Sequence, residues 1–356
     1  MLHGSLIRPL LLMVALLSAS AQADSAMPGW QEPLLERLQA VAAKQDGELG
    51  VYVKDLHSNL AVTLHAEELW YMASGIKVPV AIAVLRGVER GEWNLDTRLI
   101  LAANDFVDGA GSTNQHGPGA RLSVRFLLEQ MIIYSDNTAT DRLIRLVGLD
   151  AVNRLVSELV SEGFEPITSL ADVRHHIYRE LHPAAERLGG RDLLRLRQAS
   201  KDDERLDRLA SLLGVPRSEL APISLNTAYA NYYSRNLNAA RLSAYGELLE
   251  RLAEGEALGA EQTTYLLGVM GRVKTGSKRI IAGLPADAHF AHKTGTQRAR
   301  ICDSGLIDTP ARGSAAPVLV VACVQGEPSL AKAERSLRQV GEALAQSGVL
   351  QRDALK

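Results

Sequence analysis

Three short motifs hold the residues on which chemistry could be built. They are Ser74 and Lys77 in YMASGIKVPVAIAVL, Ser135, Asp136 and Asn137 in IIYSDNTATDRL, and Lys293, Thr294, Gly295 and Thr296 in HFAHKTGTQ. A serine hydroxyl is a poor nucleophile until a neighbouring base takes its proton, and a lysine desolvated in a cation-rich pocket can be that base. Residues three apart on a helix share a face, which brings the Lys77 amine toward the Ser74 hydroxyl. At a helix start the backbone N–H groups and the dipole also favour a developing oxyanion. Taken singly, each motif has a plain structural reading. Ser74 would be an N-cap with Lys77 solvated, Ser135 or Asp136 would cap the helix beginning at Asn137, and Gly295 would mark a close backbone approach on an edge strand. A second Lys-Thr-Gly, Lys274 to Gly276 in GRVKTGSKR, lacks the flanking strand pattern and reads as a loop.

The periodicity around these motifs defines the elements that must position them. Apolar residues at helical spacing predict an amphipathic helix over Glu32 to Ala43, and ELGVYVKDL and LAVTLH read as two strands joined at His57-Ser58-Asn59. A helix from about Ser74 to Arg90 tolerates Pro79 because it falls in the first turns. Further helices are expected over Val124 to Tyr134, Asn137 to Val147, Leu149 to Glu162 and Ala239 to Glu254. Strands AHFAHKTG, ICDSGLI and VLVVACV and a helix over Leu330 to Ala345 close the chain. The fold class is therefore α/β plus all-α: an antiparallel sheet flanked by helices, with an inserted helical domain. Residues 24–73 and 266–356 form the α/β part and 74–265 the helical part. Within the latter, about 181–221, centred on KDDERLDRL, reads as an inserted surface helical pair with a solvated face and no chemical role.

Composition narrows the function. At 46% hydrophobic residues the chain can bury a real core, and a formal charge of −2 without a basic stripe argues against nucleic acid as a partner. Arg8, the apolar run Leu10 to Leu17 and the small residues of SASAQAD read as a signal peptide, residues 1–23, cut after Ala23. No later segment approaches the ~20 apolar residues a membrane span needs, so a periplasmic or secreted protein is expected. Export permits a disulfide between Cys302 and Cys323, on two neighbouring apparent strands; two separate buried thiols is the reading slightly preferred.

In this order and at these separations, S-x-x-K, S-D-N and K-T-G are the set found in serine β-lactamases and penicillin-binding proteins. The sequence resembles that superfamily, and most closely the class A β-lactamases, over nearly all of the mature chain except about Thr168 to Asn236. ARLSVRFLLEQMIIYSDNTATDRLIRLVG and IIAGLPADAHFAHKTGT carry the likeness beyond the motifs. The resemblance implies an exported serine hydrolase that opens β-lactam rings, acting as a monomer on a small-molecule substrate and giving antibiotic resistance. Ser74 would be acylated and Lys77 would accept its proton, directly or through water. Ser135 would relay a proton to the leaving nitrogen, and Asn137 would hold Lys77 and the substrate amide. Lys293, Thr294 and Thr296 would bind the substrate carboxylate, with the Ser74 and Thr296 amides as oxyanion donors. Asp136 and Gly295 would be structural. Arg279 stands where some family members carry an arginine that supports the carboxylate. Arg298, Arg300 and a plain surface role for Arg279 remain alternatives.

One departure bears on turnover. The family's W-E-x-x-L-N pattern, whose glutamate activates the deacylating water, is absent, and the corresponding stretch reads TSLADVRHHIYRELHPAAERLGG. Glu180 is the expected substitute base, a solvated charge being its plain alternative, with Asn226 or Asn231 supplying the missing amide. Without a base the acyl-enzyme persists, and the protein becomes a penicillin-recognising peptidase or esterase-like hydrolase. His175, His176 and His182 are weak zinc candidates for a metal-activated water, but their spacing is not that of a strong site, and no cofactor is expected.

Overall fold

Both ends of the chain contribute strands to one antiparallel sheet. In the computed structural model, which describes residues 29–351, helix α1 (Gln31–Ala42) leads into β1 (Glu48–Asp55) and β2 (Leu60–Leu64). The expected signal peptide lies outside the described residues. The short strand β3 (Leu69–Tyr71) and a 3₁₀ turn over Ala73–Ile76 precede α2 (Lys77–Glu89). Paired strands β4 (Arg98–Ile100) and β5 (Arg121–Ser123) then lead to α3 (Val124–Ile133), α4 (Asn137–Val147), α5 (Leu149–Leu159) and α6 (Leu170–Arg179). There follow α7 (Gly190–Arg197), α8 (Asp202–Leu213), α9 (Leu225–Tyr233), β6 (Ala239–Arg241), α10 (Leu242–Ala253) and α11 (Ala260–Met270). The chain closes with β7 (His289–Gln297), β8 (Arg300–Asp308), β9 (Val318–Gln325) and α12 (Leu330–Ser347).

The sheet order is β2-β1-β9-β8-β7, every pair antiparallel. Strand β9 is buried on both faces, which explains its unbroken apolar run. Val318, Val320, Ala322 and Val324 face a core shared with α1 and α12, whereas Leu319, Val321 and Cys323 face the core shared with the helices. Each of these valines and leucines contributes ~1.5–3 kcal/mol by burial. Cys302 and Cys323 lie directly opposite each other on β8 and β9 and are joined by a disulfide, so the reading as two separate thiols does not hold.

Helix α2 is buried on nearly every side, as a helix apolar all round must be, and it runs through the middle of the helical region. Its predicted start is different in detail: the first turn is 3₁₀, because residues 73–76 bend tightly against β7. Likewise the helix expected from Ala239 begins with β6, which pairs with β3. The 265/266 division expected from the sequence falls inside α11, which packs against both α2 and β7. The charged insertion is a helical pair, α7 and α8, but its leucines are buried in an apolar core shared with neighbouring helices. Leu193, Leu196, Leu206 and Leu209 pack with Tyr178, Leu188, Tyr229 and Tyr232, and the charges lie outside.

Candidate active site

Three backbone devices bring the motifs together. The Ser74 turn sits against β7 because position 295 is glycine: a Cβ there would lie 2.4 Å from the Met72 carbonyl oxygen. Ala73 and Ser135 both hold a left-handed backbone, φ 48° and 62°, an unusual state for non-glycine residues that costs ~1–3 kcal/mol and clusters at functional sites. Asp136 caps α4 through the Ala139 amide and reaches the Thr113 amide, both at 2.9 Å, which fixes the turn that presents Ser135.

The side chains converge on Ser135. Lys77 Nζ bonds Ser74 Oγ at 3.1 Å, Ser135 Oγ at 3.1 Å, the Ser135 carbonyl at 2.6 Å and Asn137 Oδ1 at 2.7 Å. Lys293 Nζ reaches the same Ser135 Oγ at 3.0 Å. Both lysines are fully buried. Burial pulls the Lys77 amine down to about 7, against the opposing pull of Asp136 and Asp141, and Arg174 adds to the lowering. Lys293 is pushed well below its usual value, first by burial and then by the charges of Lys77 and Arg279.

Arg279 is 3% exposed, which removes the surface reading. It donates to the Gly295 carbonyl at 3.0 Å, the Cys302 carbonyl at 2.9 Å and Thr296 Oγ1 at 2.7 Å, with Glu334 behind it at 3.3 Å. Of the competing arginines, Arg298 pairs with Asp202 and bonds Asn226, and Arg300 lies over the Tyr233 ring. Thr294 Oγ1 meets Thr275 Oγ1 at 2.6 Å, so the second Lys-Thr-Gly is a loop that nonetheless touches the first.

Glu180 is not brought to this cluster. It caps the far end of α6, ion-paired with Arg235 and bonded by Asn231 at 2.9 Å. The near end of α6, about 15 Å away for ten residues, is held by Asp141, whose two oxygens accept the Leu170 and Ala171 amides at 2.7 and 2.9 Å. Burial raises the Asp141 carboxyl to about 7 despite these two bonds. The three histidines go separate ways: His175 Nε2 meets the Leu188 carbonyl, His176 stacks on Tyr232, and His182 Nδ1 accepts the Ala184 amide. Among the described residues no group of three His, Cys, Asp or Glu side chains is arranged to hold a metal ion.

Sequence reasoning missed Asp141 and Arg174. Asp141 had a signal, since it lies four residues after Asn137 on one helix face. Arg174 had none. It is buried, binds Asp108 through two bonds at 2.5 and 3.1 Å, and Asp108 in turn accepts the Asn137 amide through its carbonyl at 2.6 Å.

A serine beside a buried lysine of lowered basicity, with a second hydroxyl bridging to a second lysine, defines an acyl-transfer site of the serine hydrolase kind. The family model described as "Beta-lactamase enzyme family" matches residues 33–347, and the chain belongs to that family. A β-lactamase of Proteus vulgaris is 24% identical over 261 residues, covering 73% of this chain and 76% of the relative. Two solved structures share the fold. One is the β-lactamase from Sphaerobacter thermophilus, with TM-score 0.64, 23% identity, and coverage of 89% of this chain and 96% of that one. The other is the L158E mutant of PBP-A as an acyl-enzyme complex with penicillin-G, with TM-score 0.66, 20% identity, and coverage of 89% and 96%.

Proposed function

We propose that the protein is an exported, monomeric serine hydrolase that opens β-lactam rings through an acyl-enzyme on Ser74, and so gives resistance to them. The observation that carries this reading is the bond between Lys77 Nζ and Ser74 Oγ inside a fully buried cluster. Neutral Lys77 takes the Ser74 proton as Oγ attacks the lactam carbonyl. The amides of Ser74 and Thr296 receive the oxyanion, the ring C–N bond breaks, and Ser135 passes a proton from Lys77 to the leaving nitrogen. Lys293, Thr294 and Thr296 hold the substrate carboxylate, and Arg279 orients the Thr296 hydroxyl. A carboxylate arriving beside Lys293 favours its charged form, which offsets the desolvation that burial imposes. The pattern of residues 1–23 and the Cys302–Cys323 disulfide support export.

A second reading concerns release. The carboxylates whose charge reaches Lys77 are Asp136 and Asp141, and each already accepts two backbone amides. Both are held on these amides and bond neither Ser74 nor Lys77, and Glu180 is ion-paired with Arg235. This favours a long-lived acyl-enzyme, as in a penicillin-recognising peptidase or esterase-like protein whose own substrate is acyclic.

Intact-mass measurement after incubation with benzylpenicillin tests the common step. The expected result is one adduct on the wild type, mapped to Ser74, and none on Ser74→Ala; an adduct of equal extent on the variant overturns the assignment.

A further inference from the structure

The segment that lies on Asn137 is fastened by a residue the acylation chemistry leaves unused. Asp108 turns its carbonyl to Asn137 Nδ2 at 2.6 Å, and the backbone there is so close that a Cβ on Gly109 would lie 2.8 Å from the same nitrogen. Thr138 fixes the preceding residue, Val107, through its amide at 2.9 Å and its carbonyl at 3.1 Å. The Asp108 peptide is the next one along. Among the described residues its carboxylate is held by Arg174 alone, through bonds at 2.5 and 3.1 Å.

Arg174 is itself set by α4. Asp141 accepts the Leu170 and Ala171 amides, which seats the first turn of α6, and Arg174 stands one turn further along that helix. The connections close a ring: α4 holds α6 through Asp141, α6 holds the 107–109 segment through Arg174, and that segment returns to α4 at Asn137. Lys77 is tied to this ring, because Asn137 Oδ1 accepts from Lys77 Nζ at 2.7 Å. The Arg174 guanidinium is 9% exposed, and its Nη1 has no partner among the described residues. A buried cation with an N–H unfilled adds little to stability, which leaves position as what the pair supplies.

The consequence falls on the carboxamide of Asn137. An asparagine side chain can turn over and exchange its oxygen for its NH2 group. With the Asp108 carbonyl in place, the NH2 group faces that acceptor and the oxygen faces the Lys77 amine; turned over, oxygen would meet oxygen and donor would meet donor. One N–H of Nδ2 is then taken by Asp108, and the other bonds no described residue. We propose that Arg174 is a positioning residue for Ser74 acylation, acting through Asp108 to hold the Asn137 carboxamide with its oxygen on Lys77 and its second N–H on the substrate's side-chain amide. The proposal rests on the Ser74 acylation reading and adds to it a residue that bonds neither Ser74 nor Lys77.

The test compares Ser74 acylation by benzylpenicillin, which carries a side-chain amide, with acylation by penicillanic acid, which has none. The ratio of the two second-order rate constants is measured in the wild type, Arg174→Met, Asn137→Ala and the double variant. The expected result is that Arg174→Met lowers the ratio about tenfold, as the loss of one hydrogen bond would. Asn137→Ala should lower it at least as far, and the double variant should show no further loss. Arg174→Lys, which keeps the charge and loses the planar fork, should give an intermediate ratio, and it replaces Arg174→Met if that variant does not fold. A fall in both rate constants by the same factor would make the pair a purely structural support, and an unchanged ratio would mean that Thr138 alone fixes the segment. Either result, or a further loss in the double variant, overturns the proposal and leaves the Ser74 reading standing. Failure of benzylpenicillin to acylate the wild type overturns the Ser74 reading and the proposal with it.

Discussion

Lys77 and Lys293 both donate to the same Ser135 Oγ, at 3.1 and 3.0 Å, although the charge of Lys77 lowers the affinity of Lys293 for a proton. In the proposed acylation the two buried amines divide the work: Lys77 is neutral to accept the Ser74 proton, and Lys293 is charged when a substrate carboxylate is bound. The difference between them comes from their partners, since Asp136 and Asp141 act on Lys77 while Arg279 acts on Lys293.

The first prediction is a pH dependence. With its pKa near 7, Lys77 is mostly protonated below neutrality and mostly free above it. The rate of Ser74 acylation should rise through about pH 7 and level off above it, and Lys77→Arg should lose at least ~100-fold at all pH values. The unfolded chain binds the Lys77 proton up to its ordinary value of 10.5, so this group makes folding stability rise with pH between about 7 and 10.5. Stopped-flow acylation across pH checks the activity limb.

Arg279 acts through Thr296. Arg279→Ala should lower kcat/KM by ~10- to 100-fold for carboxylate-bearing lactams, mostly through KM, because Thr296 Oγ1 loses its orienting donor. An ester substrate with no carboxylate should lose far less. An equal loss on both would mean that the arginine only supports the strand.

Asp141 ties the start of α6 to the site. Its carboxyl titrates near 7 when folded and near 3.8 when unfolded, so the folded state holds the extra proton between these values. Stability therefore falls as pH rises through that window. Asp141→Asn should flatten this slope in melting temperature. It should also cost ~1–3 kcal/mol, since a carboxamide offers only one acceptor oxygen to the two amides.

The disulfide crosses β8 and β9 behind the site. Replacing both Cys302 and Cys323 by Ala should destabilise the fold by ~2–4 kcal/mol for a closed loop with a sequence separation of 21, read as a lower denaturant midpoint. Acylation of the folded variant by penicillin should persist, because Ser74 and Lys77 are not bonded to either cysteine.

Much of this architecture was legible because its signals are local. The helix from Asn137 to Val147 matches its predicted limits, since Asp136 supplies the cap and the apolar spacing does the rest. The strand carrying Lys293 was readable as one of three apparent strands near the end of the chain, and the converging motifs named Ser74, Lys77 and Ser135. What escaped depends on contacts distant in sequence. The Ser74 turn is 3₁₀ because β7 presses on it, and β6 exists because β3 pairs with it. The insertion looked solvated because its charges outnumber its leucines in sequence, while its core draws on Tyr178, Tyr229 and Tyr232 from outside it. Glu180 was chosen because RELHP echoes the family's loop, but α6 carries it to the opposite end and Arg235 holds it there. No periodicity in the sequence predicts the Arg174–Asp108 pair across 66 positions.

Rapid mixing of the purified protein with a chromogenic cephalosporin, at enzyme concentrations that resolve one turnover, tests the central claim most directly. The site predicts a burst equal to the enzyme concentration, absent in Ser74→Ala, followed by a slower steady phase set by release of the Ser74 ester. Steady turnover from the first milliseconds with no burst would contradict rate-limiting release, and ring opening that survives in Ser74→Ala would contradict the acyl-enzyme itself.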